Sequence, residues 1–502
     1  MTIMALKAKA PLVILLLSLF VICASLALAT QDPELKQCKH QCRHQRQFDE
    51  QQQEECERRC EEYHREKKER ERAERRRGQE GSSESERYEG EESEEEEETN
   101  PYLFEDEHFE SRVRTEEGTD KILEKFSRRS KLLRGLENYR VAILEANPHT
   151  FVAPAHFDAE IVLFVAKGRG TITLVREEKR ESFNVEHGDI MRVPAGTPVY
   201  MINRDNNEKL CVVKILQPVF LPGHFEAFHG AGGEDPESFY RAFSLEILEA
   251  ALRTRRDELE RLFGKQRQGA IMKASKEQIR SLSEQEEFPA RIWPFGDSSG
   301  PFNLFRRRPS QSNQFGRLYE AHPNDFKQLQ DLDLIVSFAN ITKGSMAGPY
   351  YNSRATKISV VLDGEGYFEM ASPHLSSAGS RRHRGGGGFS ERRKVGPTYQ
   401  KVSGRLRRGV VFVTPAGHPV AVVASRHNNL QVLCFEVNAQ GNIRFPLAGK
   451  RNIVNDFEKE AKELAFNSPA REVERIFRNQ DEEFFFPGPN GQRHDERGRA
   501  FE

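Results

Sequence analysis

Gly188-Asp-Ile-Met-Arg-Val-Pro194-Ala195-Gly196-Thr197-Pro198-Val199 returns further along the chain as Gly409-Val-Val-Phe-Val-Thr-Pro415-Ala416-Gly417-His418-Pro419-Val420. Each copy follows a strand ending in a glycine pair, Gly168-Arg-Gly170 or Gly364-Glu-Gly366, and precedes an apolar strand with one cysteine, Cys211 or Cys434. Similarity recurring at such a distance marks two copies of one domain. Working outward, short apolar runs separated by turn residues predict strands. Ile161-Val-Leu-Phe-Val-Ala and Cys211-Val-Val-Lys-Ile-Leu in the first half have counterparts in Lys357-Ile-Ser-Val-Val-Leu and Val432-Leu-Cys-Phe-Glu-Val in the second.

The spacing is not uniform. Gly188 and Gly409 are offset by 221, Cys211 and Cys434 by 223, but Gly168 and Gly364 by only 196. The surplus of about 25 residues falls between Pro373 and Gly404 and includes Arg381-Arg-His-Arg-Gly-Gly-Gly-Gly388. That composition predicts a basic, mobile surface insertion open to proteases. Helical periodicity follows each strand domain, over Glu237–Phe263 and Phe457–Phe477, and Leu262-Phe263 matches Ile476-Phe477 at an offset of 214. Phe243, Ile247, Leu248, Ala251 and Leu252 form one apolar face of the first helical unit. That face packs either on its own strand domain or on that of a neighbouring subunit.

The chain has 502 residues, enough for two to four folded units, with 37% hydrophobic and 31% charged side chains. Its 76 basic and 78 acidic residues nearly cancel, which gives no reason to expect a nucleic-acid partner. Residues 1–29 read as a secretory signal: Lys7 and Lys9, the apolar Leu12–Leu28 region, then Ala27-Leu28-Ala29 for cleavage. No membrane attachment is expected once it is removed, and six cysteines remain in an oxidising compartment. Residues 30–99 are too polar to form an ordinary core and end in an acidic run at Glu94–Glu98. Within them, Cys38-Lys-His-Gln-Cys42 and Cys56-Glu-Arg-Arg-Cys60 are thirteen residues apart. A four-residue step puts both cysteines of a pair on one helical face. Antiparallel helices would let Cys38 meet Cys60 and Cys42 meet Cys56, though four cysteines allow three connectivities. A zinc site is the competing reading, disfavoured by the secretory route and by the absence of Cys-x-x-Cys spacing.

The Gly-x5-Pro-x-Gly motif after a Gly-x-Gly strand pair resembles the cupin superfamily of jelly-roll barrels. The whole order resembles the vicilin-type 7S seed storage globulins, as do Asn100-Pro-Tyr102-Leu-Phe-Glu, Leu221-Pro-Gly-His-Phe-Glu-Ala-Phe, Phe239-Tyr-Arg-Ala-Phe243, Tyr351-Asn-Ser-Arg-Ala-Thr-Lys357 and Gln480-Asp-Glu-Glu-Phe-Phe-Phe486. The resemblance implies a mainly β protein: two cupin jelly-roll barrels, each followed by a helical arm, preceded by a disulfide-stapled helical hairpin leader. The expected divisions are signal 1–29, leader and acidic disordered linker 30–99, N-terminal cupin with arm 100–285, C-terminal cupin with arm 286–490, and flexible tail 491–502. It further implies a nutrient reservoir, a homotrimer, delivery to the seed protein storage vacuole, and IgE as a partner of an allergen.

Catalytic cupins close a metal cage with a histidine where this chain has Val199 and Val420. The other ligand stretch reads His156-Phe-Asp-Ala-Glu160 in the first copy and Tyr351-Asn-Ser-Arg354 in the second. Valine cannot ligate, so no enzyme activity and no resident cofactor are expected. Some vicilin relatives hold copper through a Cys-Pro-His segment, the histidine of Pro-Ala-Gly-His-Pro and a tyrosine; the corresponding residues here are Ser372-Pro373-His374, His418 and Tyr102. Serine for cysteine leaves only a weak copper site in His374, His418 and Tyr102, or two histidines bonded to backbone or water. Asn340-Ile-Thr342 is the glycosylation sequon. The alternative functions are a metal-binding cupin with oxidoreductase activity, a binder of a sugar or small hydrophobic molecule, and an antimicrobial peptide released from the leader.

Overall fold

In the computed structural model the described residues are 100–176, 179–283, 300–375 and 398–489, with Glu54, Glu57, Arg58, Glu61 and Arg65 as helical positions. The signal, Cys38, Cys42, Cys56, Cys60, most of the basic insertion and the tail 491–502 lie outside them.

Alternating apolar side chains let each half bury one face of two antiparallel sheets against each other. In the first half one sheet runs Phe302–Asn303, Asp189–Val193, Ala159–Lys167, Leu210–Pro218, Arg140–Ala146, Gly118–Leu123, Phe109–Thr115. The facing sheet runs Ala227–Phe228, Thr150–Phe157, Val199–Asn203, Arg169–Arg176, Lys179–Glu186, with Ile271–Lys273 also on Thr150–Phe157. The second half repeats this order. One sheet is Leu103–Phe104, Val411–Thr414, Thr356–Asp363, Leu430–Val437, Leu334–Ile341, Gly316–Ala321, Gln311–Asn313. The other is Gln400–Arg407, Glu365–Ser372, Val420–Ala424, Ser345–Asn352, Arg444–Pro446, with Phe485–Pro487 on Ser345–Asn352. These are the two domains expected from the repeated motif, with the jelly-roll form that the resemblance to cupins implies.

The glycine pairs stand where the chain crosses between sheets. Gly168 and Gly364 both have φ of +84°, a left-handed conformation that side chains resist. A Cβ on Gly168 would lie 2.5 Å from the Lys209 carbonyl oxygen, and one on Gly170 2.6 Å from that of Ile202. Gly364 and Gly366 meet Asn429 and Val423 in the same way.

This geometry revises one alignment. Leu210 packs over Gly170 and Leu430 over Gly366, so the last barrel strands correspond at an offset of 220. Cys434 therefore matches Lys214, and Cys211 matches Gln431. The two cysteines are not equivalent positions.

The surplus residues lengthen a hairpin. In the second barrel Ser372 pairs with Gln400, enclosing residues 373–399; in the first, Arg176 pairs with Lys179 across 177–178.

The first short strand of each half joins the other half's sheet. Leu103–Phe104 pairs with Val411 and Phe412, and Phe302–Asn303 with Asp189 and Ile190. Between the barrels, Phe164 stacks on Phe338 at 6.3 Å between ring centres, and Phe305 meets Phe338 edge-on at 4.9 Å.

The helical arms repeat residue for residue. Leu245–Leu252 and Arg256–Phe263 correspond to Lys459–Phe466 and Ala470–Phe477, all at an offset of 214. Each first helix ends at a left-handed residue, Arg253 or Asn467, both with φ of 48°. Of the apolar face read from the sequence, only Leu248 is buried; Phe243, Ile247, Ala251 and Leu252 are exposed. The arm does not bury that face on its own barrel.

Candidate functional site

The turn after Pro415 fixes His418. Its N–H donates to the Pro415 carbonyl at 3.2 Å, while the Gly417 N–H donates to that of Asn352 at 2.8 Å. The ring Nδ1 lies 3.0 Å from the Ala416 carbonyl oxygen. A carbonyl only accepts, so Nδ1 carries the hydrogen and Nε2 presents a lone pair. His418 is 3% exposed, and its Nε2 is buried without a hydrogen-bond partner.

Two other rings lie near that of His418. His374, just past the strand Glu365–Ser372, is exposed and has its ring centre 5.2 Å from that of His418. Tyr102 is fully buried, with its ring 6.1 Å from that of His418 and its hydroxyl 3.3 Å from Ser372 Oγ. Exchange of the strand Leu103–Phe104 brings Tyr102 here, where its carbonyl accepts the Val413 N–H at 2.9 Å. Burial lowers the His418 pKa, with neighbouring His374 adding to the effect against the Ala416 bond. Burial raises that of Tyr102 despite the Ser372 bond. At neutral pH the pocket holds a neutral imidazole and a protonated phenol. The residues read from the sequence do converge, although among the described residues no three His, Cys, Asp or Glu form a metal-holding group.

The first barrel has no such arrangement. Thr197 replaces His418, and Val199 lines an apolar interior beside Ala155. His156 lies on the other face of its strand, stacked on Phe228 at 5.0 Å. Glu160 is bonded to Arg192 at 2.8 Å. Neither joins Val199 in a cage. Val420 is likewise buried and pairs with Tyr350. Burial, with Glu145 nearby, pushes the Cys211 thiol up to about 11, and burial raises Cys434 as well. Neither is an activated nucleophile. Asn340 is next to last in Leu334–Ile341, half-buried between Arg317 and Gln431 of the flanking strands.

A charged cluster inside the second barrel escaped the sequence reading. Lys357 Nζ lies 3.1 Å from Glu436 Oε1, and Arg444 Nη2 lies 2.6 Å from Glu320 Oε1 and 3.5 Å from Glu436 Oε1. The available signal was a charge inside an apolar run, Glu436 within Leu430–Val437.

The cupin family model matches residues 128–218 and 302–473. A vicilin of Juglans regia, Jug r 6.0101, is 76% identical over 99% of this chain and 100% of its own. The crystal structure of vicilin from Corylus avellana shares 72% identity and superposes with a TM-score of 0.70, covering 78% of this chain and 100% of that one. The chain belongs to the vicilin family of cupins. As a vicilin it is a 7S seed storage globulin. The hazelnut relative Cor a 11.0101, 69% identical over 95% of this chain and 100% of its own, carries an allergen designation as the walnut one does.

Proposed function

We propose that this vicilin stores nitrogen as a homotrimer without catalysis, reaches the seed storage vacuole by the secretory route, and is digested there when amino acids are needed. The observation that carries the reading is the exposure of the arms beside two barrels that have valine at the metal-closing position. Val199 and Val420 stand where a metal cage would close. Phe243 and Leu262 are 50% and 59% exposed, and their repeats Phe457 and Ile476 are 42% and 57% exposed. Exposed apolar clusters of this kind become buried against another surface, and a second copy supplies one. Light scattering on the mature protein tests it: a mass of three chains is expected, and a monomer at micromolar concentration refutes it. Among the described residues no helix is long and apolar enough to cross a membrane. Designations of the walnut and hazelnut relatives support IgE as a partner in sensitised individuals. Asn340 acts as a glycan acceptor in this reading, to be checked by the mass lost on enzymatic deglycosylation.

The buried, unpartnered Nε2 of His418 favours a second reading, a residual copper site. Imidazoles and a phenol suit copper(II), which bound there would cross-link the Tyr102 segment to the second barrel. Ser372 supplies a hydroxyl where a thiolate would hold the metal far more tightly.

A further inference from the structure

Between the two sheets of the first barrel lies a cavity of about 340 Å³. Its wall includes Ala142, Leu144, Ala155, Leu163, Val199 and Ile271. An apolar cavity of about 150 Å³ suffices for benzene, so this one has room for a bicyclic molecule.

The second barrel shows what closes the same space. Val199 pairs with Ala155, while its repeat Val420 pairs with Tyr350. Ile161 pairs with Leu216, and the corresponding pair in the second barrel is Lys357 with Glu436. There a tyrosine ring, a lysine and a glutamate fill the interior, and the Lys357 ammonium donates to the Tyr350 hydroxyl at 3.2 Å. In the first barrel an alanine and two aliphatic side chains leave it open.

Charges on the cavity wall are already paired. Lys214 Nζ donates to both oxygens of Asp120 at 2.8 Å. At the more exposed rim, Arg112 Nη1 lies 2.8 Å from Glu226 Oε2. An anion would find no unneutralised cation in these pairs, and burying a carboxylate without one is costly.

We propose that the first barrel binds a small, uncharged, mainly apolar molecule of aromatic or terpenoid size. This is independent of the storage reading, which stands whether or not the cavity is used. The probe is naphthalene, titrated into the full mature protein and followed by its fluorescence, with 1-naphthoate as its anionic counterpart. The expected result is saturable binding of one naphthalene per chain, with 1-naphthoate about tenfold weaker or worse. Ala155→Tyr, which imports the side chain found in the second barrel, abolishes binding. Because a large side chain can strain a packed barrel, Val199→Phe is measured alongside, and the variant with wild-type circular dichroism and size is the one read. Xenon-pressurised crystals of the unaltered protein supply a reading free of substitution, with density expected between Ala155 and Leu163. Absence of saturable naphthalene binding, undiminished binding by the folded variant, equal or tighter naphthoate binding, or no xenon at that position overturns the proposal.

Discussion

At Glu320 two effects oppose each other. Burial works against its charge, but Arg444 at 2.6 Å, helped by Ser310 and Lys357, brings its pKa from 4.5 to about 2. A carboxylate whose folded pKa is depressed stabilises the fold above its unfolded value, and the contribution is lost as pH falls through the folded one. Unfolding midpoints in denaturant should therefore decline between about pH 4.5 and about pH 2. Glu320→Gln is expected to be less stable at pH 7 and to show a flatter decline; an unchanged slope would remove the role given to this pair. The same scale governs copper. Ser372→Cys puts a soft thiolate where the hydroxyl now meets Tyr102 and should raise copper in protein purified without chelators from well below one atom per chain to near stoichiometry. His418→Ala should remove what little the unaltered protein holds. Val199 and Val420 were legible through the resemblance to cupins, whose catalytic members have a histidine at that point of the motif. The Lys357–Glu436 pair was not, since a charge in an apolar strand becomes intelligible only when its partner comes across the sheet. Tyr102 was legible only through family resemblance: its contact with Ser372 spans 270 residues and depends on strand exchange.

Among the elements, the lengthened hairpin is the clearest case of sequence arithmetic becoming structure. Its surplus residues enter between Ser372 and Gln400, and the strands on either side remain paired over eight positions. Glu365–Ser372 is also held by Val420–Ala424. Brief trypsin treatment should cut at Arg381, Arg382, Arg384, Arg392, Arg393 or Lys394, giving two fragments on a denaturing gel that still co-elute on native size exclusion. Separation under native conditions would mean that the hairpin needs its connection. The cysteine alignment fared worse. Two apolar strands of similar composition slide by three residues without visible penalty in the sequence, and only the leucines seated over Gly170 and Gly366 set their register. The duplication of the arms was legible because both copies kept the same helix lengths and the same turn between helices, but Phe243 is not on a helical face: it lies extended between the turn Phe239–Ala242 and the helix Leu245–Leu252.

For the whole molecule, the exposed arm residues dominate. Covering a Phe or Leu side chain contributes roughly 1.5–3 kcal/mol, and Phe243, Leu262, Phe457 and Ile476 offer four such positions per chain, all exposed in a lone subunit. Phe243→Asp together with Leu262→Asp should shift the light-scattering mass from three chains towards one, with far-ultraviolet circular dichroism unchanged. A trimer indifferent to both would place the interface elsewhere. The exchanged strands bear on disposal. Because Leu103–Phe104 closes the second half's sheet and Phe302–Asn303 the first's, neither half completes itself. A germinating seed that severs the chain between Ser283 and Gly300 obtains two pieces clasped by each other's ends, and must pry the clasp open before either core becomes food.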